Sequence, residues 1–134
     1  MKIIVCVDDK GGVMFNHRRQ SQDRVLREHI LEMTAGRTLW MNSYSAKMFG
    51  NLPSIAVAED FLDRSGEDDF CFVENISIAG HEYAVKEIIL FKWNRAYPAD
   101  THFSFPAGPD YKLTETSDFA GSSHEKITKE VYTR

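Results

Sequence analysis

The sequence predicts an α/β sandwich built on a mostly parallel sheet and finished by an antiparallel hairpin. Three observations predict it. Ile3 to Val7 is a short, continuous apolar run that stops at Asp8-Asp9-Lys10-Gly11-Gly12, the behaviour of a strand buried on both faces that meets a glycine turn. Strand-like and helix-like stretches then alternate, which favours parallel strands joined by helical crossovers. The tail breaks that rhythm. Tyr111 to Thr116 and Lys126 to Tyr132 alternate in character and flank Gly121-Ser122-Ser123, the pattern of two antiparallel strands at a sheet edge.

The elements follow in order. Between Ser21 and Thr34, Val25, Leu26, Ile30 and Met33 fall on one helical face. Ser21 is the expected N-cap and Gly36 the stop. Thr38 to Met41 reads as a second buried strand. Ser45 to Phe49 reads as a short helix ended by Gly50, with Pro53 in the loop beyond. A third helix is expected over Ala56 to Arg64. Phe70 to Val73 and Ile88 to Trp93 are strands, and Gly80 to Val85 has room for a turn or two of helix. Ligands of such sheets sit at the carboxyl ends of the strands. That rim carries Asp8, Asp9, Asn42, Ser43, Glu74 and Asn75.

Length and composition set bounds. The 134 residues suit one domain spanning 1–134 with one core. The chain is 43% hydrophobic and 27% charged, an ordinary globular balance. A net charge of −4 leaves no positive excess to hold a phosphate backbone, so a nucleic-acid partner is not expected. No apolar run approaches the roughly 20 residues of a membrane helix. Met1-Lys2 leads straight into a strand, without a signal-peptide pattern, so a cytoplasmic location is expected. Cys6 and Cys71 lie far apart in apolar runs and read as free buried thiols.

Three local constellations carry possible chemistry. Asn16-His17-Arg18-Arg19-Gln20 is the one basic cluster and stands before a helix N-terminus, where backbone amides favour anions. His17, Arg18 and Arg19 are therefore candidate anion contacts. A solvated loop, with Asp23 and Glu28 near enough to pair with the arginines, is the favoured alternative. Asp8-Asp9 has the form of a Mg²⁺-binding carboxylate pair, and equally of a turn, which is preferred. The histidines His17, His29, His81, His102 and His124 show no ligand spacing, so no metal is expected. Trp40 and Trp93 lie in expected strands and read as core.

Several of these pieces, in this order, resemble dihydrofolate reductase: the opening strand and glycine turn, the helix closing at Thr34-Ala35-Gly36-Arg37, the strand ending in Met41, and Ala99-Asp100-Thr101-His102-Phe103. The resemblance implies a three-layer dihydrofolate-reductase-like sandwich. It covers most of the chain, and most strongly residues 1–49 and 86–134.

The site motifs of that family are not matched. Counted from Gly12 or from Thr34, its catalytic acid falls on Leu26, which has no ionisable group. Its Leu-Pro-Trp falls on Arg19-Gln20-Ser21. Its phosphate-cradling Gly-Arg-x-Thr falls on Asn42-Ser43-Tyr44-Ser45, without the arginine. Its paired glycines fall on Glu74-Asn75, and the threonine of its later strand on Phe91. The stretch from Gly50 to Glu67 is shorter than the family's extra strand and adenine-side loop need. No cofactor is therefore expected.

The opening is also similar to short proteins that carry a ribonuclease Z label. That family works through a His-x-His-x-Asp-His zinc motif, which this sequence lacks. The leading expectation is a dihydrofolate-reductase-like protein without reductase activity that binds a small ligand or a protein partner. Its cleft would be lined by Ile4, Cys6, Leu26, Ile30, Asn42, Ser43, Glu74 and Asn75. A hydrolase acting on nucleic acid or nucleotides, and an NADPH-dependent reductase with a rebuilt site, are the alternatives.

Overall fold

The fold is taken from a computed structural model, which describes residues 1–105 and 110–134. Strand β1 (Lys2–Val7) is followed by a hairpin of β2 (Gly12–Phe15) and β3 (Arg18–Arg19). Then come α1 (Arg24–Met33), β4 (Leu39–Met41), α2 (Ser43–Met48), β5 (Ile55–Val57), α3 (Phe61–Arg64) and β6 (Phe70–Phe72). A 3-10 turn at Glu82–Ala84 precedes β7 (Glu87–Lys92), β8 (Thr101–His102), β9 (Lys112–Phe119) and β10 (Ile127–Thr133). No helix among the described residues is long and apolar enough to cross a membrane.

The main sheet has seven strands in the order β5-β4-β6-β1-β7-β10-β9. The pairs from β5 to β7 are parallel, and β10 joins β7 and β9 antiparallel. The expected mostly parallel sheet with a terminal hairpin is the observed one. Its central strand β1 pairs on both sides, setting Ile3 against Cys71 and Ile88, and Ile4 against Phe72 and Ile89.

Side-chain alternation along β1 divides the core. Ile4 faces α1 and α2 and packs with Leu26, Ile30, Phe49, Phe72, Phe91 and Trp93. Ile3 and Val5 face the other way, with Phe61, Leu62, Cys71 and Leu90. Helices on both faces of one sheet make the three layers. Cys6 packs on the first face and Cys71 on the second, and both thiols are free.

Several boundaries differ from the expected ones, for local reasons. Helix α1 is capped by Asp23 and not by Ser21, because Asp23 Oδ1 accepts the Leu26 amide at 3.1 Å. Helix α2 begins at Ser43, because Asn42 caps it through the Ser45 amide. The third helix does not run from Ala56 to Arg64. Ile55-Ala56-Val57 is instead strand β5, paired with Leu39 to Met41, and only Phe61–Arg64 is helical. The segment after Gly50 thus does hold an extra edge strand. Its two β-branched residues suit a pleated edge better than a helix.

One element has no counterpart in the sequence reading, the small sheet β3-β2-β8. Its hairpin turns at Asn16 and His17, both left-handed with φ of 50° and 62°, as a tight two-residue connection needs. Gly12 starts this sheet in close quarters. A Cβ there would lie 2.6 Å from Ala99 Cβ and 2.8 Å from Asp8 Oδ2.

Candidate functional site

Two regions flank the carboxyl ends of β1 and β6, one on each face of the sheet. The first is a cleft between β1 and the start of α1. Cys6, Leu26, Ile30, Arg19, Glu74 and Trp93 are among its lining residues. Its walls are so close that the free space is about 10 Å³, roughly one water.

A pair of charges seals one side of this cleft. Arg19 Nε and Nη2 donate to the two carboxylate oxygens of Glu74 at 2.9 and 3.1 Å. Ser45 Oγ donates to the same carboxylate at 2.7 Å. The guanidinium also lies over the Tyr44 ring, 4.5 Å from its centroid, and the Arg19 amide donates to the Tyr44 hydroxyl. Burial works against the Arg19 charge, but the Glu74 carboxylate outweighs it and raises the guanidinium's affinity for its proton. Burial, helped by Glu74 and opposed by Arg19, pushes the neighbouring Cys6 thiol well up.

The expected site residues separate into groups. Cys6, Leu26, Ile30 and Glu74 share the cleft, whereas Ile4 lies beneath it in the core with no exposed surface. Asn42 and Asn75 meet each other, Nδ2 to Oδ1 at 2.8 Å, and Ser43 faces solvent with its amide held by Glu59. The basic cluster also splits. Arg19 turns inward to Glu74, while His17 and Arg18 are exposed on the hairpin. Neither Asp23 nor Glu28 pairs with Arg18 or Arg19. Asp23 bonds His124, and Glu28 pairs with Arg24 at 3.0 Å.

Asp8 takes the role of a turn residue. Its carboxylate accepts the Gly12 and Lys10 amides at 2.7 and 2.9 Å, the Tyr97 amide, and Gln20 Nε2. Burial raises its pKa, yet these donors outweigh it and leave it below the usual carboxylate value. Asp9 is exposed. Among the described residues no three His, Cys, Asp or Glu side chains form a group able to hold a metal ion.

The sequence reading missed a buried polar cluster beside the cleft. Asp23 and His124 are 1% and 4% exposed. Asp23 Oδ2 and His124 Nδ1 lie 3.0 Å apart, and the Ser122 and Ser123 amides donate to the same carboxylate. Burial disfavours the charged carboxylate, but these amides, His124 and the Leu26 amide prevail and hold Asp23 far below the usual range. His124 Nε2 meets Ser21 Oγ at 3.1 Å and Tyr97 Oη at 3.0 Å, and its ring stacks on Trp93. About a hundred residues separate the partners, so only a match between Ser21-Gln22-Asp23 and a distant histidine could have suggested it.

The second region lies on the opposite face, under β8 and the 73–79 loop. It is a cavity of about 400 Å³ bordered by Val5, Val13, Val73, Ile76, Ile78 and Phe103, with Glu74, Ser77, Glu82 and His102 supplying polar edges.

No family model matches the chain, and no curated protein matches it. Among solved structures it is similar to dihydrofolate reductase from Enterococcus faecalis, in a complex with NADP(H) and RAB-propyl. The identity is 13%, the TM-score is 0.71, and the match covers 99% of this chain and 95% of that one. At that identity the match speaks to architecture alone. The chain has the dihydrofolate-reductase-like fold.

Proposed function

We propose that this protein is a ligand-binding module which takes a small, largely apolar, neutral or cationic molecule in the cavity of about 400 Å³, and which has no dihydrofolate reductase activity. The cavity is the observation that carries the reading. Its volume is in the range of small-molecule sites, roughly 300–1,000 Å³. It lies at the carboxyl ends of β1 and β6, where ligands of parallel sheets bind. Its walls are mostly aliphatic and aromatic, and the Glu82 carboxylate at its edge disfavours an anion.

The residues present do not fit NADPH. By the sequence match, Glu74 falls where the resembling family has its paired glycines, and its carboxylate already engages Arg19. Leu26 puts an apolar side chain at the position where the resembling family has its catalytic acid. The hydrolase alternative of the ribonuclease type finds no metal-holding group among the described residues.

The test uses a neutral, environment-sensitive dye such as Nile red, titrated into the protein. Saturable binding is expected, and Ser104→Trp, which sets an indole among the lining residues, is expected to abolish it. Dye binding unaffected by Ser104→Trp would overturn the reading. So would a thermal shift with NADPH.

A further inference from the structure

We propose that Ser21, His124 and Asp23 form a nucleophilic relay able to accept a short acyl group from an activated ester. This is a second site, on the face of the sheet opposite the ligand cavity. The geometry is that of a nucleophile, a base and a residue that orients the base. Ser21 Oγ is 3.1 Å from His124 Nε2, and His124 Nδ1 is 3.0 Å from Asp23 Oδ2.

The protonation pattern follows from the partners. A carboxylate only accepts, so the ring carries a proton on Nδ1, and the neutral ring then offers its Nε2 lone pair to the Ser21 hydroxyl. Stacking on Trp93 at 4.4 Å fixes the ring plane. Asp23 is a positioning residue. It is held by the Leu26, Ser122 and Ser123 amides and cannot turn away.

Asp23, the Arg24 amide on Ser122 Oγ and Ser123 Oγ on the Gln22 carbonyl already tie the β9–β10 loop to the start of α1. The link from Nε2 to Ser21 joins the same two segments, and it ends on a half-buried hydroxyl that lines the cleft.

The step balances. Ser21 Oγ attacks the acyl carbon as its proton passes to His124 Nε2. The bond from that carbon to the alkoxy oxygen breaks, and the leaving alcohol takes the proton from His124. Water then attacks the acyl-serine by the same route and releases the acid. The free space of about 10 Å³ takes a water and not an acyl group, so the acyl group stays on the solvent side of the half-buried Ser21. Arg19, Gln20 Nε2 and Arg27 Nη1 are engaged by Glu74, Asp8 and the Gln22 side-chain oxygen, which leaves Gln22 Nε2 as the amide donor next to Ser21. The developing oxyanion is therefore weakly supported, and the relay is expected to be seen as covalent capture before it is seen as turnover.

Tyr97 supplies the discriminating test. Its hydroxyl lies 3.0 Å from the same Nε2 and competes with Ser21 for one lone pair. The folded protein is treated with a fluorophosphonate probe, which loses fluoride on reaction, and with p-nitrophenyl acetate. The adducts are located by peptide mass spectrometry. One adduct is expected, on Ser21, and it is lost in Ser21→Ala. Tyr97→Phe is expected to label about twofold faster, because Nε2 then serves one hydroxyl. His124→Ala is expected to label at least ~100-fold more slowly, the scale of a general base. No adduct on Ser21, or equal labelling in Tyr97→Phe and the parent, would overturn the proposal. Those two readouts decide even if His124→Ala fails to fold.

Discussion

Arg19 grips Glu74 with two nitrogens, 2.9 and 3.1 Å from its two oxygens, and so ties the β2–β3 hairpin to the rim of the main sheet. Removing the carboxylate strands a guanidinium whose side chain is only 21% exposed. Glu74→Ala is expected to cost about 2 kcal/mol, less than a fully buried pair because Arg19 keeps some solvent contact. Chemical denaturation of both proteins measures it. Equal midpoints would show that the pair contributes nothing.

The same pair bears on the cofactor. NADPH at about 100 micromolar is expected to give no calorimetric heat and no thermal shift, and dihydrofolate is not reduced when both are supplied. Losing even ~4 kcal/mol of contacts weakens binding roughly a thousandfold. Saturable NADPH binding would restore the reductase reading.

Leu26 is 2% exposed and packs with Ile4, Ile30 and Phe91. Leu26→Asp buries a carboxylate without a partner and is expected to destabilise the fold by about 3 kcal/mol or more. An unchanged melting temperature would mean that α1 presents another face to the sheet.

Asp23 makes stability pH-dependent. Its folded pKa is depressed, so its contribution is complete above the unfolded value of about 3.9 and is lost as pH falls below it. Asp23→Asn is expected to cost about 3 kcal/mol at neutral pH. The gap to the parent should narrow below about pH 4. Denaturant titrations at neutral and acidic pH check the sign. A gap that widens in acid would contradict it.

The thiols offer a direct probe of the layers. Burial pushes Cys71 up to about 11 against a weaker hydrogen bond from Ser65, and burial with Glu74 pushes Cys6 up as well. Both are expected to react slowly with a thiol reagent in the native state and completely after denaturation. They do not form a disulfide on oxidation, since they sit on opposite faces of the sheet.

Much of this architecture was written locally. Ile3 to Val7, Phe70 to Val73 and Ile88 to Trp93 are apolar without interruption, and a strand buried on both faces needs nothing else to be legible. The face of Val25, Leu26, Ile30 and Met33 is a property of spacing within one helix. The terminal hairpin follows from alternation around Gly121. What tertiary structure decided was every relation between distant residues. Ile55 to Val57 became a strand because β4 offered an edge to a segment whose β-branched residues suit one. Arg19 turned to Glu74, and not to Asp23, because the β2–β3 hairpin points it at the sheet rim. Ser21, Asp23 and His124 met because the β9–β10 loop returns to the start of α1. Periodicity records how a segment buries one face. It carries no record of which charge or hydroxyl the folded chain will bring to it from a hundred residues away.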